Sequence, residues 1–375
     1  MIAVVADDIT GAAEIAGVGL RYGMTVTLTT TAQIAPPQTQ LWVLALDTRS
    51  MSSQEAIAMI TLTVGRLKRL GVKDIFKKTD SVLRGNVLKE LNAQLETEGK
   101  KRVILCPANP EGGRQIVDGI YLINGVPISK TSFAIDPEFP ASTSVVTEML
   151  GKDLFLKSSV SILNATCGND LFDAAKQKDV NTILAGSAAF FSAYLAYRKF
   201  LPAVLTNSFP EFEKVLYVFG STFDKSRQAL EKARESGAKV AYISPLMQNC
   251  QEVEKNIELC ALSLIKAIKS EGRAILAVDN PILKGKETAV KLRQTVACVV
   301  KKVFESVSLH ELVVEGGATT FAIVEALNFR HFIPTNELAK GVVRMIVVDS
   351  DNLYLTIKPG SYDFPAEVWT TLKKK

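Results

Sequence analysis

Short apolar runs recur along the chain, and longer amphipathic stretches separate them. The runs Ile2–Val5, Thr25–Thr29, Leu41–Leu46, Ile75–Lys78, Arg102–Cys106, Val160–Asn164 and Thr182–Ala185 read as strands. Stretches such as Ser53–Leu70 and Val87–Glu98 carry their apolar residues at helical spacing. Strands alternating with helices of this length predict βαβ units and a mostly parallel sheet. Around Tyr121–Phe139 the alternation gives way to short segments punctuated by Gly, Pro and Ser. That stretch predicts a long loop or hairpin over the sheet, of the kind that often covers a substrate.

A second alternating set opens at Val215–Phe219 and continues through Lys239–Ile243, Ala274–Val278, Glu311–Val314 and Arg344–Val348. Helical patterns at Asp224–Gly237, Val253–Glu271 and Thr288–Ser308 would cover it. Between the two sets lies Phe200–Lys214, with Pro202 and Pro210. The expected fold class is therefore α/β, in two domains, residues 1–205 and 206–375, each a mostly parallel sheet flanked by helices. The active site is expected in the cleft where the two domains meet. A chain of 375 residues is also too long for one ordinary core.

Composition narrows the class. Apolar residues make up 47% and charged residues 22%, as in ordinary soluble enzymes. The net charge of +5 suits an anionic small molecule, and no basic block is long enough to argue for nucleic acid. The cysteines Cys106, Cys167, Cys250, Cys260 and Cys298 show no metal-ligand spacing. An odd, scattered set reads as reduced thiols, and with no visible signal peptide the expected location is the cytoplasm. The two histidines, His310 and His331, are too few for a His-based metal site. No run of about 20 apolar residues predicts a membrane span.

The chemistry gathers at predicted strand ends. Ala6-Asp7-Asp8-Ile9-Thr10-Gly11-Ala12 follows the first strand and opens a helix. Asp8 or Thr10 could simply cap that helix, but a cap needs one such residue and not two adjacent acids. Lys77-Lys78-Thr79-Asp80-Ser81-Val82-Leu83-Arg84-Gly85-Asn86 supplies carboxylate- or phosphate-binding donors beside Asp80, a potential general base. Asp47-Thr48-Arg49-Ser50 adds Arg49 at the same sheet edge, and Pro107–Arg114 is a further strand exit with Gly and Arg. In the second half, Gly220-Ser221-Thr222, Glu315-Gly316-Gly317-Ala318-Thr319-Thr320 and Ile357-Lys358-Pro359-Gly360 place glycines and hydroxyls at strand ends. Such turns let backbone approach a phosphate at a helix N-terminus, so together they point to a nucleotide.

With these motifs in this order, the chain resembles the four-carbon acid sugar kinases, a two-domain family that phosphorylates acids such as threonate and erythronate. The resemblance implies an N-terminal domain for the sugar acid and a C-terminal domain for ATP. It implies ATP with Mg²⁺ as cofactors, a small-molecule sugar acid as partner, no nucleic acid or membrane partner, and leaves a homo-oligomer open. The substrate-binding set is then Asp7, Asp8, Arg49, Lys78, Asp80 and Arg84. Arg49, Arg84 and Lys78 would hold the carboxylate, and Asp8 and Asp80 the hydroxyls. Of the two catalytic candidates, Asp80 is favoured as proton acceptor, since Lys78 and Arg84 should keep it ionised. Asp8, beside Asp7, should be the harder to ionise. Ser221, Gly316, Gly317, Ala318, Thr319 and Gly360 would hold ATP. Departures from the family pattern at Thr222-Phe223-Asp224, Ala318 and Ser361-Tyr362 motivate an alternative, a non-catalytic or regulatory binding protein of the same fold. A dinucleotide-dependent oxidoreductase is a second alternative, opposed by the lack of G-x-G-x-x-G after a strand.

Overall fold

A computed structural model describes residues 1–136, 138–203, 212–220, 224–235, 237–243, 250–279, 286–360 and 362–365. The chain is mixed α/β and divides into two compact units, Met1–Leu205 and Thr206–Lys375.

The first unit runs β1 (Ile2–Ala6), α1 (Ile9–Arg21), β2 (Val26–Thr29), β3 (Leu41–Ala45), α2 (Ser53–Arg69), β4 (Asp74–Lys78), α3 (Val87–Glu98) and β5 (Arg102–Cys106). It continues with β6 (Arg114–Val117), β7 (Ile120–Ile123), β8 (Val126–Pro127), α4 (Val146–Met149), α5 (Lys152–Leu156), β9 (Val160–Ile162), α6 (Gly168–Lys176), β10 (Thr182–Gly186) and α7 (Ala188–Tyr197). Seven strands lie in the order β2-β3-β1-β4-β10-β5-β9, every pair parallel. Each residue of β1 and β3 is buried, which is why these strands read as continuous apolar runs with no alternation. Register sets up the chemistry. Ala6 pairs with Ala45 on one side and Lys78 on the other, so the exits of β3, β1 and β4 stand side by side at one edge.

Packing holds that edge. Trp42 is fully buried and donates its indole N–H to Thr29 Oγ1 at 3.0 Å. Phe76 meets Phe190 and Phe191 with ring centroids 5.9 and 5.1 Å apart. Lys77, on the buried β4, is answered by Glu90 at 2.7 Å, since a lone charge there would be too costly. The expected covering feature is an antiparallel sheet, β6-β7-β8, which starts before Tyr121. Its strands were too short and too Gly-punctuated to read as strands.

The second unit runs β11 (Val215–Phe219), α8 (Asp224–Glu235), β12 (Val240–Ile243), α9 (Cys250–Glu271), β13 (Arg273–Val278), α10 (Lys286–Ser306), β14 (Glu311–Glu315) and α11 (Gly317–Ala326). β15 (His331–Ala339), β16 (Val342–Val347) and β17 (Tyr354–Lys358) follow. Its strand order is β12-β13-β11-β14-β17-β16-β15, parallel through β17 and antiparallel for the last two pairings. β15 and β17 escaped the apolar pattern. Pro334 and the polar Thr335-Asn336-Glu337 interrupt the first, and alternating polar residues mark the second. Phe219 pairs with Glu315, and Glu315 with Lys358, so three strand exits again stand abreast. Among the described residues no helix is long and apolar enough to cross a membrane.

Candidate functional site

Three loops leave β1, β3 and β4 at the edge of the first unit. Asp7 and Asp8 follow β1, and Asp8 caps α1 by accepting the Gly11 N–H at 2.8 Å. The capping reading of Asp8 is therefore correct, and helix α1 starts directly after it at Ile9. Capping does not exhaust the residue. Its Oδ1 also lies 2.9 Å from Arg49 Nη2, and Thr10 donates its hydroxyl to Oδ2. Gly11 is needed for closeness, because a Cβ there would fall 2.7 Å from Asp8 Oδ1 and 2.8 Å from Lys78 Nζ.

Arg49 enters from a 3₁₀ turn (Thr48–Ser50) that Asp47 opens with φ +52. Its guanidinium lies 2.8 Å from Asp7 Oδ2, 2.9 Å from Asp8 and 3.6 Å from Asp80. The third loop carries Asp80 and Arg84. Arg84 donates through Nε and Nη2 to the two Asp80 oxygens at 2.8 and 3.0 Å, and its backbone N–H donates at 3.0 Å. Leu83 takes φ +64 within this loop, a conformation that costs an ordinary residue about 1–2 kcal/mol. Gly85 follows at φ +84, and a Cβ there would strike Arg49 Cγ and O at 2.9 Å. Asn86 ties the same two loops by donating to Met51 O at 2.9 Å and Thr48 O at 3.2 Å.

Asp7, Asp8, Arg49, Asp80 and Arg84 are thus brought together, and Lys78 lies beneath them. Lys78 Nζ is 3.6 Å from Glu14 and donates to Thr79 O at 3.1 Å. The cations are turned on the protein's own carboxylates: Arg84 on Asp80, as the sequence implied, and Arg49 on Asp7 and Asp8, where a substrate carboxylate was expected. Burial opposes the charge on Asp80, but Arg84 and Arg49 outweigh it and hold the carboxyl well below the usual range. Asp7 does not keep Asp8 neutral, and the order of the two acids is not decided by these shifts. Burial again opposes ionisation, yet Arg49 and Lys78 pull the Asp8 carboxyl below its ordinary value. Asp7 Oδ1, Thr48 Oγ1 and Thr79 Oγ1 are buried polar atoms without a hydrogen-bond partner, all at these strand exits. Buried polar groups are rarely left so, and three at neighbouring strand exits offer hydrogen-bonding capacity to a polar ligand.

Sequence reasoning missed two neighbours of Arg84. Asp136 Oδ2 sits 3.2 Å from Arg84 Nη1, and the Phe133 ring lies under the guanidinium at 6.0 Å. Both fall in the stretch read as a covering loop, which was the available signal. A cavity of about 230 Å³ opens here, lined by Arg84, Gly85, Phe133, Phe139, Thr143 and Glu148 among others.

The second unit presents a different edge. Gly220, Gly316 and Gly360 follow β11, β14 and β17. Gly220 is required by contact, since a Cβ there would meet Thr319 Oγ1 at 2.1 Å. Gly316 has φ +95, donates its N–H to Lys358 O at 2.9 Å, and leads into α11 at Gly317. The first-turn amides of α11, at Gly317, Ala318 and Thr319, have no intrahelical acceptor and can face an anion. Below them Lys358 Nζ lies 2.6 Å from Glu315 Oε1, which also accepts from Ser226 Oγ at 2.5 Å. The pair ties two strand exits together. Ser221 lies outside the described residues, as do Thr222, Phe223 and Ser361.

The fold and these two strand edges define a two-unit α/β protein with a buried charged cluster at the strand exits of its first unit. The model for a sugar-binding N-terminal domain matches residues 2–194. The chain belongs to that family, the four-carbon acid sugar kinases. It is 24% identical to a D-threonate kinase of Salmonella typhimurium over 407 residues, covering 96% of this chain and 94% of the relative. A D-threonate kinase of Bordetella bronchiseptica is 34% identical over 157 residues, 40% of this chain and 39% of that one. A D-erythronate kinase of Heliobacterium modesticaldum is 24% identical over 386 residues, 87% and 85%. A Salmonella typhimurium crystal structure described as a tRNA synthase superimposes with TM-score 0.78 at 17% identity, covering 100% of this chain and 98% of that one. At that identity the likeness speaks to the fold alone.

Proposed function

We propose that the protein is an ATP-dependent kinase that phosphorylates a hydroxyl of a small, four-carbon sugar acid in the cytoplasm. The observation that carries the reading is the convergence of Asp7, Asp8, Arg49, Asp80 and Arg84 at one strand edge. Buried carboxylates kept ionised by guanidinium groups are suited to orienting hydroxyls. A carboxyl held this low is a weak base, so it takes the proton only as bonding to phosphorus makes the hydroxyl acidic. The family relatives named for threonate and erythronate support the substrate class.

Phosphoryl transfer asks the protein mainly for positioning and charge placement. Asp8 and Asp80 orient the sugar-acid hydroxyls, Arg49 and Lys78 keep Asp8 ionised, and Arg84 does so for Asp80. The attacking hydroxyl gives its proton to Asp80, which passes it to water, while its oxygen bonds the γ-phosphorus and ADP leaves. ATP supplies the phosphoryl group. It would be held at Gly316, Gly317, Ala318, Thr319 and Gly360, where glycines and first-turn amides suit phosphates, with Ser221, outside the described residues, as a further candidate. Among the described residues no group of three or more His, Cys, Asp or Glu could hold a metal ion. Asp7, Asp8, Asp80 and Asp136 each face an arginine, so no step is assigned to a protein-held Mg²⁺.

The test is ADP release from ATP over a panel of four-carbon sugar acids, with purified full-length protein. Turnover with at least one acid is expected. Tight acid binding with no ADP release across the panel would favour the non-catalytic alternative. Binding of a nicotinamide dinucleotide in place of ATP would favour the oxidoreductase.

A further inference from the structure

The strand exit at Pro107–Arg114 carries an arginine that the proposed transfer leaves unused. Arg114 opens β6, and its backbone is fixed on both sides. It exchanges hydrogen bonds with Asn109, at 2.8 and 3.0 Å, and pairs with Ile123 across the hairpin. Gly113 before it has φ +70, and a Cβ there would fall 1.9 Å from Asn124 Oδ1, so glycine lets this turn close. The half-buried guanidinium reaches the hydroxyl of Ser81, the residue after Asp80. Tyr121, fully buried, donates its own hydroxyl to the Ser81 carbonyl.

Arg114 differs from the other cations of the cluster in its partners. Arg49 is bound by Asp7 and Asp8, Arg84 by Asp80 and Asp136, and Lys78 faces Glu14. Among the described residues no carboxylate lies within ion-pair distance of Arg114, whose one side-chain hydrogen bond goes to a neutral hydroxyl. Charge balance points the same way. Asp7, Asp8, Asp80, Asp136 and Glu14 face Arg49, Arg84 and Lys78, an excess of negative charge. An anion brought there is repelled unless an uncommitted cation meets it. A guanidinium on a pinned backbone also matches the two oxygens of a carboxylate.

We propose that Arg114 is the specificity-determining residue that receives the carboxylate of the sugar acid, with the Ser81 hydroxyl as a second donor. This rests on the sugar-acid reading above and deepens it. Arg114 selects acids over neutral polyols, while Arg49, Arg84 and Lys78 serve the ionised aspartates.

The test uses the full chain, wild type and the variants Arg114→Gln, Arg114→Lys and Ser81→Ala. The probes are the best four-carbon acid of the panel and its uncharged primary amide, read by calorimetry and by ADP release. Arg114→Gln should raise KM and Kd for the acid by about ten- to a hundredfold, the range for losing hydrogen bonds to a charged group. Turnover at saturation and ATP affinity should change by less than about threefold, as expected when only substrate binding is lost. The preference for acid over amide should collapse with it. Arg114→Lys should recover part of the loss, and Ser81→Ala should show a smaller rise in KM, which keeps the test open if Arg114→Gln fails to fold. An unchanged KM and unchanged acid preference in the glutamine variant would overturn the assignment. So would a loss confined to turnover, which would make Arg114 a positioning residue for the Asp80 loop. A wild type that binds the acid but consumes no ATP would sink the kinase reading alone, and calorimetry would still decide the role of Arg114. A wild type that binds none of the acids would overturn both.

Discussion

The strand edge of the first unit is built from charged side chains, and that of the second from missing ones. At the first, Asp7, Asp8 and Asp80 are buried and answered by Arg49 and Arg84 across three loops. At the second, Gly220 leaves room for the Thr319 side chain, Gly316 turns at φ +95, and the charges, Glu315 and Lys358, pair beneath. The contrast follows from what each edge is proposed to hold. A polyhydroxy acid needs directional acceptors and donors with tuned protonation. A polyphosphate needs space and many N–H groups, which backbone supplies without a desolvated cation. Disturbing the first edge should therefore alter chemistry and pH response, and disturbing the second should alter nucleotide affinity or stability.

The largest expected effect is at Asp80. Asp80→Asn should lower kcat by about two to four powers of ten, the usual scale for a lost general base, with the sugar acid still bound. Asp8→Asn should mainly raise KM. Steady-state kinetics at saturating acid checks this, and loss of turnover in the Asp8 variant alone would exchange the two roles.

Next is the pair beneath the second edge. Lys358→Met leaves the fully buried Glu315 carboxylate without its cation and should cost about 3–5 kcal/mol, measured by urea unfolding. Combining it with Glu315→Leu should restore most of that loss, because two apolar groups of similar size leave no charge to desolvate. A double variant as unstable as the single one would show that the pair does more than close the turn.

Gly220→Ala should act through space. Its Cβ would lie 2.1 Å from Thr319 Oγ1, so Thr319 and the start of α11 must shift. ATP affinity measured by calorimetry should fall by about tenfold or more, the scale of one lost charge-assisted hydrogen bond, while sugar-acid affinity holds. Equal loss of both affinities would erase the distinction between the two edges.

The smallest effect is in the pH response. Folded Asp8 and Asp80 both titrate below their ordinary 3.8. A depressed carboxyl contributes stability above its unfolded pKa and loses it as pH falls toward the folded value. The melting temperature owed to these groups should be flat from about pH 5 to 8 and drop below about pH 4. Asp80→Asn should blunt that acid drop, and an unaltered profile would mean that the Arg84–Asp80 clamp is not what the acid breaks.

Much of the fold was legible in the sequence because buried parallel strands are short continuous apolar runs. Val87–Glu98 was read with both ends right, and Arg102–Cys106 and Val215–Phe219 likewise. What stayed hidden had no such signature. β15 and β17 are interrupted by polar residues and Pro334, and they count as strands only because neighbours complete their hydrogen bonds.

By itself the sequence determined which chemistry each strand end carries, because strand periodicity and loop position are local properties. It placed Asp7, Asp8, Arg49, Asp80 and Arg84 on exits of one sheet. Only the tertiary structure decided how those charges pair. Strand register brings Ala6, Ala45 and Lys78 level, and so sets Arg49 between Asp7 and Asp8 rather than toward solvent. It also brings Asp136, 52 positions along the chain from Arg84, onto the Arg84 guanidinium, and turns Arg114 on the Ser81 hydroxyl. Ion pairing depends on distances of a few ångström between segments far apart in the chain, and no local pattern records them.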